Sequence, residues 1–188
     1  DFCWIGHNRH GTMGKNIKTN AHPFMIDDED GDCCLVGAHN GTLRNKHVLT
    51  DANNFGTDSE ALFSEIAFKG LEEALKKVEG AWALTYYDHI ESELRIIRNK
   101  ERPLFYAFEE GKKTFIWASE MWMIRVACSK YGVKLQDDNV FTTTEDTLYR
   151  LPAPVKVNDE LTLFRKGGVV GKEPAPFFQQ NSTYRWPH

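Results

Sequence analysis

Apolar and polar positions follow two rhythms along this chain. Residues 81–88, 93–98, 104–108 and 114–118 are apolar runs of strand length, and Glu109-Glu110-Gly111-Lys112 supplies a turn between the last two. They predict successive strands. Residues 147–151 and 155–164 predict further strands, and residues 2–7 predict one leading into a loop at Arg9. The helical rhythm appears twice. Thr57-Asp58-Ser59-Glu60 has the form of a capping box, followed by apolar Ala61, Leu62, Ile66 and Ala67. Gly70 divides this helix from a second over 71–78, and Gly80 closes the helical region. A third helix is expected from a Ser119 cap through Tyr131, stopped by Gly132. Its Met121, Trp122, Ile124, Val126 and Ala127 are expected in the core.

Between these stretches, Leu35, Val36 and Ala38 predict a short buried strand that runs into a tight turn at Asn40-Gly41, a strongly turn-forming dipeptide. Residues 15–31 predict a polar loop. Its acidic run, Asp27 to Asp32, lacks the ligand order of a calcium loop and is expected at a solvated hairpin tip. After Gly167-Gly168 the composition shifts to Pro, Phe, Gln and Trp. Residues 1–166 are therefore expected to form one domain, with 167–188 a tail that is either an arm packed on it or a contact for a partner.

Composition narrows the class. A chain of 188 residues with 41% hydrophobic and 27% charged residues has enough apolar material for one soluble core. The net charge of −4 offers no basic field for nucleic acid, and no apolar run approaches a membrane span. Four cysteines, Cys3, Cys33, Cys34 and Cys128, show no disulfide framework; read as reduced thiols, they point to the cytoplasm.

Candidate chemistry gathers at four segments. Arg9-His10-Gly11-Thr12-Met13-Gly14 comes first, and Asn20-Ala21-His22-Pro23 second. Ala38-His39-Asn40-Gly41 is third, and Thr57-Asp58-Ser59-Glu60 fourth. In this order and spacing they resemble the glutaminase domain of class II, N-terminal-nucleophile glutamine amidotransferases. That family includes the glutaminase domains of glucosamine-6-phosphate synthase and amidophosphoribosyltransferase. Gly80-Ala81-Trp82-Ala83-Leu84 and Arg98 with Arg102-Pro103-Leu104 extend the resemblance to about Ser119.

The resemblance implies an α+β fold, a four-layer α-β-β-α sandwich of two antiparallel sheets. It implies L-glutamine as ligand, with Arg9 and Thr12 on the α-carboxylate, the His10 backbone lining the site and Asp58 on the ammonium. Charge matching points the same way, since a guanidinium pairs bidentately with a carboxylate. Asn40, through its side chain, and Gly41, through its backbone N–H, would form the oxyanion hole for thiolate attack on the carboxamide. No cofactor and no metal is implied. The released ammonia would pass to a synthetase domain or subunit.

The family's nucleophile is a cysteine at the first residue of the mature chain, one small subdomain before the Arg9 loop. Here that loop starts a few residues in, so the nucleophile is expected on a segment outside this chain, and the fold without its first segment. Cys3 stands too close to Arg9, is not terminal, and fits better as a small apolar strand residue. Two rivals remain at this stage. One is a non-catalytic relative that kept the fold as a binding or structural protein; the other is a zinc site drawn from His7, His10, His22, His39 and Cys33 or Cys34, whose spacing lacks a Cys-x-x-Cys knuckle.

Overall fold

The computed structural model describes residues 3–8, 17–111, 114–152, 155–157, 160–162 and 171–174, the last three stretches as backbone alone. In chain order the strands are β1 (Phe24–Asp27), β2 (Cys33–Leu43), β3 (Gly80–Asp88), β4 (Glu93–Arg98), β5 (Phe105–Phe108), β6 (Phe115–Ala118), β7 (Phe141–Thr142), β8 (Thr147–Pro152), β9 (Val155–Val157), β10 (Glu160–Thr162) and β11 (Gly171–Pro174). The helices are α1 (Asp58–Lys69), α2 (Leu71–Lys77) and α3 (Met121–Tyr131). A six-stranded antiparallel sheet runs β1-β2-β3-β4-β8-β11, a three-stranded one runs β6-β5-β7, and β9 and β10 pair separately.

Three apolar clusters define four layers, and strand alternation builds them. Trp82, Leu84 and Tyr86 of β3 and Ile97 of β4 pack with Ala61, Leu62, Phe63 and Ile66 of α1 and with Ala74 and Leu75 of α2. The intervening Ala83, Leu94 and Ile96 meet Tyr106 of β5 and Tyr149 of β8, with Phe108, Phe115 and Trp117 beside them. On the far face of the small sheet, Ala107, Phe105, Ile116 and Ala118 meet Ile124 and Cys128 of α3. Successive strand residues point to opposite faces, so the period-two pattern supplies both sheets with two apolar faces each. This is the α-β-β-α sandwich. Each fully buried Leu, Ile or Phe contributes about 1.5–3 kcal/mol.

Several local expectations meet the structure unchanged. Thr57 Oγ1 accepts from the Glu60 N–H at 3.1 Å as N-cap of α1, and Gly70, at φ 86°, separates α1 from α2. Asp28 Oδ1 accepts from the N–H groups of Asp30 and Asp32 at 3.0 and 2.8 Å, closing the acidic β1–β2 hairpin tip. Gly132, at φ 67°, ends α3.

Others differ. Residues 3–8 form no regular strand; Cys3 and Ile5 instead pack on the cluster between the sheets. The expected polar loop contains β1, whose Phe24 and Ile26 are buried against the helical layer. The expected strand over 155–164 is a hairpin of β9 and β10. Glu120, not Ser119, is N-cap of α3, and only Ile124 and Cys128 of that helix are buried, while Trp122 and Val126 are 59% and 57% exposed. A lone helix on a three-stranded sheet presents one stripe to it, and the remaining faces meet solvent. Within the expected tail, β11 adds an edge strand to the large sheet by pairing with β8.

Candidate active site

The site is built on β2, and the largest departure from the sequence reading lies there. Asn40-Gly41 does not turn the chain. Both residues sit inside an eleven-residue strand that continues to Leu43, Asn40 opposite Ala83 and Gly41 opposite Trp82. Nine consecutive cross-strand pairs with β3 hold that conformation against the local turn preference.

Ladder parity fixes where the backbone donors point. The β2–β3 register runs unbroken from Leu35↔Asp88 to Leu43↔Gly80. It is extended at its ends by His89 N donating to Cys34 O and Arg44 N donating to Glu79 O, at 2.9 and 2.8 Å. Hydrogen-bonded and non-hydrogen-bonded pairs alternate in an antiparallel ladder. Even-numbered residues of β2 therefore turn their N–H toward β3, and odd-numbered residues turn theirs away. β1 covers that outer edge only as far as Gly37, which pairs with Phe24. Past it, the Gly41 and Leu43 N–H groups face the same edge.

The Leu43 N–H is taken by Asp58. Its Oδ2 accepts at 2.8 Å, and the Asp58 side chain is buried at the start of α1. The carboxylate thus lies on the edge of β2 that carries the Gly41 N–H, two residues or about 7 Å along the strand. Gly41 is required by close approach. Its φ is 156°, and a Cβ there would collide with the Ala81 carbonyl and lie 2.6 Å from His39 Nε2. Asn40 is half-buried, and its carboxamide makes no hydrogen bond among the described residues.

His39 lies beneath this corner, 1% exposed. Its Nδ1 is 3.0 Å from Ser59 Oγ and its Nε2 is 3.4 Å from the Ala81 carbonyl oxygen. Burial pushes its pKa down to about 4; His7 and Arg102 act in the same direction, against Asp58 and the Ala81 bond. The imidazole is neutral at physiological pH. His7 and His22 pack nearby, their rings tilted by 56° with centroids 4.3 Å apart. Arg102 presents a buried Nε with no hydrogen-bond partner among the described residues. Asn45 closes the corner from behind, donating to Lys77 O at 2.9 Å and accepting from Glu79 N at 2.7 Å.

Asn40, Gly41 and Asp58 are therefore brought together. Arg9, His10 and Thr12 lie outside the described residues. Cys3 lines an apolar cavity with Ile5, Pro23, Val36, Tyr87 and His89, and burial pushes its thiol up to about 11, so that it stays protonated at neutral pH. Among the described residues, no group of three or more His, Cys, Asp or Glu side chains comes close enough to hold a metal ion. No helix among them is long and apolar enough to cross a membrane. The sequence reading names His39 only as a candidate zinc ligand, and it quotes Ser59 and Arg102 within resembling segments without giving either a role at the site. Ser59 was detectable as the polar residue following Asp58 in a first helical turn; nothing local marks its partner twenty residues upstream.

Comparison with known proteins gives a consistent family. A family model described as a glutamine amidotransferase domain matches residues 7–126, more than half of the chain. The glutamine–fructose-6-phosphate aminotransferase (isomerizing) of Lactococcus lactis is 26% identical over 190 aligned positions, covering 93% of this chain and 31% of that protein. The enzyme of the same name from Methanosarcina acetivorans is 30% identical over 132 positions, covering 57% of this chain and 21% of that protein. The chain thus spans a third or less of these relatives. Among solved structures, the glutamine phosphoribosylpyrophosphate amidotransferase of B. subtilis, complexed with ADP and GMP, superposes with a TM-score of 0.58 at 20% identity, covering 78% of this chain and 32% of that one. That likeness concerns the fold.

Proposed function

The chain belongs to the class II glutamine amidotransferase domain family, and from that premise we propose that it binds L-glutamine and releases ammonia by thioester chemistry. The observation that carries this reading is the shared edge of β2. An anionic carboxylate, Asp58, and a backbone donor, Gly41 N–H, lie there at a spacing that a zwitterionic five-carbon amide bridges. Asp58 receives the substrate ammonium through the carboxylate capacity that Leu43 leaves. Arg9 and Thr12 bind the α-carboxylate, with the His10 backbone beside them.

Attack of a thiolate on the carboxamide carbon places negative charge on its oxygen. The Asn40 side-chain N–H and the Gly41 N–H stabilise that charge, each donor being worth roughly 2.7–4 kcal/mol. Proton transfer to the leaving nitrogen frees ammonia, and water then hydrolyses the thioester to glutamate. This chemistry needs a cysteine thiolate as nucleophile. Cys3, half-buried and protonated, serves as packing. The ammonia passes to an acceptor domain or subunit of the complete protein. Fusion of such domains in the aminotransferase relatives supports this, since the chain matches only 31% of the first.

The test is glutamine titration and ammonia release with the full-length protein, together with intact mass and N-terminal sequencing. Asn40→Ala is expected to leave glutamine affinity nearly intact and to slow ammonia release on the order of a hundredfold. A full-length protein that neither binds glutamine nor releases ammonia overturns the reading. Binding without turnover, in a protein lacking the cysteine segment, would favour a non-catalytic relative.

A further inference from the structure

The first turn of α1 holds β2 at two points, and Gly41 lies between them. Asp58 Oδ2 accepts from Leu43 N at 2.8 Å, and the next residue, Ser59, meets His39 Nδ1 at 3.0 Å. The polarity of the second contact follows from the third. A carbonyl oxygen only accepts, so the nitrogen facing Ala81 O carries the proton, and Nδ1 offers its lone pair. The Ser59 hydroxyl is therefore the donor, and the chain runs Ser59 O–H to imidazole to Ala81 carbonyl. Ala81 belongs to β3 and pairs with Thr42. One buried ring thus links α1, β2 and β3 directly under Gly41, with the space a Cβ would need already filled.

We propose that Ser59 and His39 form a positioning pair that fixes the direction of the Gly41 N–H, so that Ser59, which touches neither substrate nor reacting atom, sets the rate of the amide step. This rests on the proposed amidotransferase reading. Removing the Ser59 hydroxyl leaves Nδ1 without its donor, frees the ring to rotate or change tautomer, and unloads one of the two points that bracket Gly41. Asp58 still holds Leu43, so the ammonium site is retained. The groups facing the ring from other elements are Asp58 on α1, His7 on the N-terminal segment and Arg102 after β4.

The experiment uses Ser59→Ala in the full-length protein with two readouts. In steady-state ammonia release from glutamine, kcat is expected to fall roughly tenfold to a hundredfold while KM changes by less than about twofold, because a misaimed donor is lost in the transition state and not in the ground state. Nitrogen-15 NMR is expected to show the Nε2–H tautomer of His39 in the parent protein, loss of that preference in Ser59→Ala, and a shifted Gly41 amide resonance. An unmoved Gly41 resonance with parental kcat overturns the positioning role, as does an increase in KM that accounts for the whole loss. If Ser59→Ala does not fold, His39→Asn, which keeps an acceptor for Ser59 and gives up the Ala81 donor, is expected to show the same kcat loss and shift, and their absence is equally fatal. A parent protein that neither binds nor turns over glutamine would sink the amidotransferase reading by itself, while the Gly41 resonance would still decide whether the pair positions that N–H.

Discussion

Replacing Asp58 by Asn separates two tasks that one carboxylate performs. The structural task is acceptance of the Leu43 N–H by Oδ2 at 2.8 Å, inside a buried helix start. An asparagine oxygen can continue it, so Asp58→Asn is expected to lose only the interaction of the charge with the helix N-terminus, about 0.3–1 kcal/mol. Asp58→Ala leaves that N–H orphaned as well, a further cost of about 1–3 kcal/mol. The proposed binding task depends on charge. A hydrogen bond to a charged group contributes about 1.5–3 kcal/mol, so both variants are expected to bind glutamine roughly ten- to a hundredfold more weakly. Urea unfolding and calorimetric titration with L-glutamine measure the two effects separately. The expected pattern is nearly parental stability with lost affinity in Asp58→Asn, and loss of both in Asp58→Ala. Parental affinity in Asp58→Asn would refute the ammonium role and leave Asp58 as a brace between α1 and β2.

Three further outcomes are expected. His39 has an ordinary pKa of 6.5 and a folded value of about 4. Below about pH 6.5 the unfolded chain takes up a proton that the folded one refuses, so stability is full above that pH and falls by about 3 kcal/mol in total toward pH 4. Urea unfolding across this range should show that slope, and His39→Gln should lose it. Gly37→Ala would place a Cβ 2.5 Å from Phe63 Cε1 and 2.9 Å from Tyr86 Cβ, an overpacking cost of about 1–3 kcal/mol; an unchanged melting temperature would show slack between sheet and helix. Thr57→Ala removes the N-cap acceptor of α1 and should cost about 1 kcal/mol in urea unfolding.

What the chain determines by itself is what depends on near neighbours. The capping box at Thr57, the break at Gly70 and the stop at Gly132 rest on contacts within a few residues, and the runs of β3 to β6 show in their local apolar pattern, so all were legible. The four chemical segments were legible as a resemblance, because each is short and their order is linear. Tertiary structure decided the rest. Asn40-Gly41 favours a turn locally, yet nine pairs with β3, a strand roughly forty residues away, hold it extended and turn the Gly41 N–H to the edge where Asp58 lies. The exposure of Trp122 and Val126 on α3 was equally illegible, since it depends on how narrow a sheet the helix covers. Local preference is worth about 1 kcal/mol per residue, and a continuous ladder with a buried face outweighs it.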